Sequence, residues 1–139
     1  MTAPALPLDI PTPKFPPADE LAGAWLQQLL GDAVPVHIGE FPPGWPHRQL
    51  SILVEEAGGP AGDSPVVSRR RVVFRATGGD AVPRRDVLAY VQAALQWDAP
   101  PPSTSWFWIS DTAAPTDDPY DATRTARVYT VLVGVRATR

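Results

Sequence analysis

Proline is the feature of this sequence that most restricts how the chain can fold. It accounts for 18 of the 139 residues, about 13%, where about 5% is usual. Because proline fixes φ and removes an amide donor, dense proline predicts extended, polyproline-like backbone. Six prolines lie within residues 1–17, which we expect to form an extended N-terminal arm. The arm carries more apolar than charged residues, so we expect it to dock on its own domain or on a neighbouring copy. A flexible tail held only by packing is the alternative. The apolar residues between its prolines are Leu6, Leu8, Ile10 and Phe15.

The remaining residues, 18–139, predict one globular domain. A chain of 139 residues with 44% hydrophobic and 19% charged residues fits a single domain with its own core. There are no cysteines, which excludes disulfides, thiolate metal sites and cysteine nucleophiles. No apolar run approaches the ~20 residues that span a bilayer. The N-terminus lacks the basic and apolar regions of a secretory signal, so we expect neither a membrane span nor a signal peptide.

Apolar residues at helical spacing predict two helices. The first covers residues 19–30, with acidic residues in its first turn and Gly31 as its end. The second covers residues 80–97, before a run of three prolines. We expect Trp25 and Trp97, one on each helix, to lie in the core. The apolar stripe of the second helix consists of Val87, Leu88, Val91 and Leu95, with Tyr90 and Ala94 alongside.

Alternating apolar and polar residues predict five strands, over residues 35–40, 49–57, 66–77, 105–110 and 122–138. We expect residues 58–63 to form a hairpin-like loop and residues 111–121 to form an acidic loop. In the third strand, Val72 and Phe74 point to one face and three arginines to the other. The order α-β-β-β-α-β-β predicts an α+β domain with an antiparallel-dominated sheet and two helices packed on one face.

Two segments of opposite charge suggest a contact between copies of the chain. Arg69, Arg71 and Arg75 share one strand face, where they repel each other unless acidic groups meet them. A later segment contains no basic residue, and the arginine strand of one copy could meet this segment of the next, head to tail. A solvated strand face and a solvated loop are the alternative. The acidic residues of that segment are Asp98, Asp111, Asp117, Asp118 and Asp121.

Trp45 is a second candidate for a contact between subunits. It stands between Gly44 and Pro46 in a rigid turn, where local burial of a large ring is difficult. Aromatic residues are enriched at protein interfaces, so a partner could bind this ring. A local hydrophobic lid is the alternative.

The sequence offers little support for catalysis. Its two histidines, His37 and His47, are not in metal-binding or base-nucleophile patterns, and we expect them to be structural or exposed. Glu55 and Glu56 are adjacent on a strand and therefore point to opposite faces. Glycine-rich phosphate-binding motifs are missing. We expect no enzymatic activity, metal, cofactor or small-molecule substrate, and the net charge of −3 argues against a dedicated nucleic-acid-binding protein.

The order and character of these segments resemble the tail terminator proteins of long, non-contractile-tailed bacteriophages, particularly those of actinobacterial hosts. The resemblance covers residues 19–138, without the proline-rich arm or the Trp106–Trp108 strand. It rests on the opening amphipathic helix and on five further segments. These are V-P-V-H-I-G-E with F-P-P-G-W-P, Q-L-S-I-L-V-E-E, S-R-R-R-V-V-F-R-A-T, R-R-D-V-L-A-Y-V-Q-A-A-L and R-V-Y-T-V-L-V-G-V-R-A.

The resemblance implies a virion protein that is assembled in the host cytoplasm and located at the head-proximal end of the tail. Six copies would form a ring on the tail tube protein, stop its polymerisation and contact neck or head-completion proteins. DNA would pass transiently through the lumen. A neck or head-closure adaptor is the alternative, and a double-stranded-DNA-binding module a further one. The resemblance implies that an adjacent copy contacts Arg69, Arg71 and Arg75. It also implies that four acidic residues face the lumen or a neighbour: Asp111, Asp117, Asp118 and Asp121.

Overall fold

The computed structural model describes residues 15–44, 48–57, 62–63, 67–97, 105–118 and 126–137. These ranges contain two helices and six strands. Trp45, His47, Asp98 and Asp121, together with residues 1–14 of the predicted arm, lie outside them. In chain order the elements are α1 (Ala18–Leu30), β1 (Val36–Ile38), β2 (Ser51–Glu56), β3 (Gly62–Asp63), β4 (Val67–Thr77), α2 (Ala81–Trp97), β5 (Trp106–Asp117) and β6 (Ala126–Arg136).

The strands form one mostly antiparallel sheet in the order β1-β2-β4-β6-β5, and β3 pairs with β4 beside this path. β1 runs parallel to β2, and all other pairs are antiparallel. β4 and β6 are paired along their full length, from Val67 opposite Arg136 to Thr77 opposite Ala126. The predicted α+β class and order of elements are therefore confirmed, apart from the two-residue strand β3.

Both helices pack on the same face of the sheet, as predicted. α1 lies over β1 and β2, and α2 lies over β5 and β6. Alternation along the strands directs every second side chain of β2, β4 and β6 toward the helices. The largest fully buried side chains of the resulting core are Tyr129, Phe74, Leu26, Ile52, Leu88 and Leu95.

The end of the predicted arm rests on its own domain. Phe15 packs against the hydrophobic core. The extended segment ends at Pro17, and α1 begins at the next residue, Ala18. The Ala18 amide donates to Glu56 Oε1 at 3.0 Å, which ties the start of α1 to the end of β2. Gly31 ends the helix with a φ of 59°, a value that glycine adopts without strain.

The prediction of an acidic loop at residues 111–121 is wrong for its first seven residues. β5 continues to Asp117 because it stays paired with β6, through register shifts after Trp108, Asp111 and Ala113. β5 is also the edge strand of the sheet, so no further strand of the described ranges lies on its outer side. Proline is tolerated in such a strand because its missing amide interrupts no hydrogen bonds there. Bulges and an edge position therefore allow a strand through a segment whose composition predicts a turn.

The prediction that Trp97 lies in the core is also wrong. Trp25 does pack on the core, edge-to-face with Trp106 at 5.8 Å between ring centroids. Trp97 instead ends α2 with 86% of its surface exposed. Tyr90, expected beside the buried stripe of α2, is exposed as well. Both residues are on the side of α2 that faces away from the sheet.

Gly134 of β6 provides a test of this packing. A Cβ at this position would overlap the ring of Phe107, which lies on the paired strand and is covered by the Arg136 guanidinium at 4.6 Å. We expect Gly134→Ala to lower the free energy of unfolding by about 1–3 kcal/mol because the ring must leave its position. Urea denaturation measures the change.

Gly23→Ala is the matched control for that substitution. Its Cβ would lie 2.6 Å from Ile38, but Ile38 is exposed and able to move. Alanine also gains about 1 kcal/mol of helix propensity within α1, so we expect a change close to zero. Equal losses for the two variants would contradict the assigned role of Phe107.

Candidate interaction surfaces

The face of the sheet opposite the helices carries the predicted arginines. No helix of the described ranges lies against it, and we call it the open sheet face. Register and alternation place side chains of four strands on it. They are Leu53 and Glu55 of β2; Arg69, Arg71, Val73 and Arg75 of β4; Val128, Thr130, Leu132 and Arg136 of β6; and Phe107 of β5.

Arg75 makes ion pairs within its own chain. Its guanidinium contacts Asp118, which is only 8% exposed, and its Nε lies 3.4 Å from Glu55 Oε1. The pair with Asp118 joins β4 to the end of β5, across β6. Arg75 and Asp118 were both predicted to meet an adjacent copy or the lumen, whereas here each meets the other.

Arg69 and Arg71 differ from Arg75. Both are exposed, and neither forms an ion pair with a residue in the described ranges. Opposite them on β6 are Gly134 and Leu132, which carry no charge. Two neighbouring cations therefore lie exposed at one end of the open sheet face. Guanidinium groups pair with carboxylates and stack on aromatic rings.

Asp111 and Asp117 face the opposite side of the sheet. Asp111 accepts hydrogen bonds from the Tyr129 hydroxyl, from Gln92 Nε2 at 3.0 Å and from Gln96 Nε2 at 3.2 Å. It therefore links β5 and β6 to α2. Asp117 lies 3.4 Å from Arg127 Nη1. The described acids of the predicted acidic loop thus have partners in their own chain.

Tyr129 is the titratable group most affected by its surroundings. Its side chain is fully buried and stacks near Phe74, with 6.0 Å between ring centroids. Burial, followed by the hydrogen bond to Asp111 and the negative charge of that residue, raises the pKa of Tyr129 far above the usual value. The phenol is therefore protonated over the physiological range and donates permanently to Asp111.

The outer side of α2 forms the second candidate surface. Trp97, Val82 and Tyr90 are 86%, 55% and 53% exposed. At 3.6 residues per turn they share one side of the helix with smaller residues. We call this the outer α2 stripe: Val82, Asp86, Ala89, Tyr90, Ala93 and Trp97. Helical periodicity alone did not identify it, because α2 is apolar on its buried side too.

A small recess lies beside the first turn of α2. It has a volume of about 240 Å³ and is lined by Val82, Arg84, Asp117, Arg127 and neighbouring residues. Arg84 donates to the Gly78 carbonyl at 3.2 Å, while Arg127 donates to the Pro115 carbonyl at 3.1 Å. These arginines hold the ends of β4 and β5 in place.

Three residues considered for catalysis in the sequence, His37, Glu55 and Glu56, lie on the adjacent strands β1 and β2. His37, half-buried on β1, lies edge-to-face with Phe41 at 5.3 Å. Groups of three possible metal ligands do not occur among the described residues. Glu55 and Glu56 point to opposite faces as predicted, one toward Arg75 and the other toward α1. Neither described helix has the length and apolar character needed to cross a membrane.

Replacing Arg75 tests the ion pair with Asp118. We expect Arg75→Met to lower the free energy of unfolding by about 1–3 kcal/mol, because it leaves a buried carboxylate without its cation. The loss stays below that of a fully buried pair since Arg75 is 31% exposed. Arg71→Met, on the same face of the same strand, should change stability by less than about 0.5 kcal/mol. Similar losses in urea denaturation would contradict the distinction.

Alkaline pH tests the environment of Tyr129. Its folded-state pKa lies above the unfolded value of 10.0, so the unfolded state releases the proton first as pH rises. The contribution of Tyr129 to the free energy of unfolding is therefore fully present below about pH 10. Above that pH it decreases by up to about 1.4 kcal/mol per pH unit. Urea denaturation of Tyr129→Phe should lack this component. A wild-type slope equal to that of the variant would contradict the assignment.

Comparison with known proteins does not assign this chain to a family. No protein-family model, no curated protein and no solved structure matches it.

Proposed function

We propose that this protein is the subunit of a hexameric ring that caps the tail tube of a long, non-contractile-tailed bacteriophage. In this role it stops tube polymerisation, binds the tail tube protein and joins the tail to neck or head-completion proteins. It is located in the virion at the head-proximal end of the tail. DNA passes through the lumen of the ring, and the protein performs no catalysis.

The sequence resemblance and the α+β fold agree in the order of elements. The resemblance rests on an amphipathic helix, three strands, a second helix and one closing strand. The chain has these elements in this order, with the two-residue β3 and the edge strand β5 in addition. Because one fold hosts many functions, this agreement supports the proposal without identifying the partners.

The observation that carries the proposal is that this small domain has two exposed surfaces with residues typical of interfaces, on opposite sides. The open sheet face exposes Arg69 and Arg71, and the outer α2 stripe exposes Tyr90 and Trp97. Exposed aromatic residues and arginines are the residue types most enriched in interfaces. A ring subunit needs two different surfaces, one for each neighbour.

The charge of the chain supports transient passage of DNA rather than stable binding. The net charge is −3 per copy, so a ring of six repels the phosphate backbone overall. One of the three arginines predicted on the sheet face is neutralised by Asp118 and Glu55. Arg69 and Arg71 are the observation that favours a double-stranded-DNA-binding module as the second candidate. Such a module would bind DNA with steeply salt-dependent affinity.

Deleting the gene from a phage that carries it tests the proposal directly. Without a terminator the tube continues to grow, so we expect overlong, headless tails in negative-stain micrographs of the lysate. Expression of the wild-type chain from a plasmid should restore normal tails and infectious particles.

The other outcomes separate the alternatives. Tails of normal length without heads would contradict the terminator assignment and indicate a neck or head-closure adaptor. Normal, infectious particles would contradict both. Retention of the purified chain on duplex DNA at 50 mM salt, with loss at 200 mM, would support the DNA-binding module instead.

A further inference from the structure

Among the described residues, the large side chains of the outer α2 stripe do not contribute to the hydrophobic core of a single copy. The core already uses the other side of α2, through Val87, Leu88, Val91 and Leu95. The stripe adds Val82, Tyr90 and Trp97, all more than half exposed. A helix that is apolar on both sides is typical of an element covered on both sides. Exposed Trp and Tyr side chains, such as Trp97 and Tyr90 of this stripe, are common anchors of protein interfaces.

The stripe contains small residues between its large ones. Ala89 and Ala93 are one helical turn apart, with Tyr90 and Trp97 beside them. Two exposed alanines in succession let another backbone or sheet surface approach the helix closely. Asp86 supplies one negative charge near the N-terminal end, where it lies 3.6 Å from Arg85.

The open sheet face has the complementary features. Arg69 and Arg71 are exposed cations without a described acidic partner, and half-buried Val73 and Leu132 lie beside them. Guanidinium groups stack on Trp and Tyr rings and pair with carboxylates. The stripe offers both types of partner, in Trp97 and Tyr90 and in Asp86.

The two surfaces also agree in length. From Val82 to Trp97 the stripe extends about 22 Å at 1.5 Å per residue. From Arg69 to Arg75 the β4 segment of the open sheet face extends about 20 Å at 3.4 Å per residue. A helix lying on a sheet is also the packing that the domain already uses on its other face.

We infer that the outer α2 stripe of one copy packs on the open sheet face of a second copy. The two surfaces lie on opposite sides of the domain, with α2 on one side of the sheet and the open sheet face on the other. They cannot meet within one chain, so the contact is head-to-tail and each copy offers both halves. The inference rests on the proposed function in one respect only, which is that copies of this chain contact each other.

Cysteine cross-linking tests the contact, because the chain has no cysteine of its own. Ala93→Cys marks the outer α2 stripe, and Thr130→Cys, at a half-buried position of β6, marks the open sheet face. We expect a disulfide-linked dimer when the two single variants are mixed and oxidised, and none from either variant alone. A chain carrying both cysteines should give a ladder of higher oligomers. The purified chain and the chain bound to purified tail tubes are both measured.

Two further variants relate the cross-link to the proposed contacts. Trp97→Ala, added to the Ala93→Cys chain, should reduce the yield of the mixed dimer at least fivefold. Gln28→Ala, an exposed change on the outer side of α1, should leave the yield unchanged. Thermal denaturation should give the same midpoint for both, since neither side chain is in the core.

Three results would overturn the inference. Cross-linking of Ala93→Cys with itself would show that α2 pairs with α2, which leaves Arg69 and Arg71 uncovered. Cross-linking of Thr130→Cys with itself would show that two sheets face each other. Absence of the mixed dimer from both preparations would show that this contact does not form. The gene-deletion experiment tests the proposed function separately. If the mixed dimer forms but deletion of the gene leaves the tails normal, the proposed function is wrong and the inferred interface stands.

Discussion

The full-length pairing of β4 with β6 is the interaction on which the rest of the structure depends. Its register aligns Val72 with Val131 and Phe74 with Tyr129, and all four side chains are buried under the helices. The same register puts the arginines of β4 on the opposite face. A slip of one residue would bury charge and expose the core, so the hydrophobic pattern fixes the pairing strongly.

This register also determines which acidic groups are available to partners. β5 follows β6 to Asp117, which brings the acids of β5 beside groups of the neighbouring elements. Asp111 reaches Tyr129 and Asp118 reaches Arg75, so both carboxylates serve stability in the folded chain. The charge complementarity visible in the sequence is therefore partly internal. Among the described residues, Arg69 and Arg71 on one face and the aromatic residues of α2 on the other stay exposed.

The sequence correctly predicted the elements in which apolar residues recur with a clear helical or strand period. α1 and β4 have one apolar side and one polar side, so a single pattern determines both their type and their orientation. The pattern failed for Trp97 because both sides of α2 are apolar, and only the position of the sheet decides which is buried. It failed for Asp111 and Asp118 because register shifts in β5, one before Asp111 and three before Asp118, change which residues oppose β6. Pairing of that kind depends on tertiary geometry and has no local sequence signal.

If the proposed contact between copies forms, the positions of the two surfaces on opposite sides of the domain make it a head-to-tail contact. A head-to-tail contact repeats the same rotation from one copy to the next, and it gives a ring only if that rotation closes. Neighbouring strands in a twisted sheet are rotated by roughly 20–25°. α2 packs over β5 and β6 on one face of the sheet, and the proposed contact places α2 of a second copy along β4 on the other face. If this contact forms, the twist between these strands contributes a rotation between successive copies, which a ring requires and a straight stack lacks.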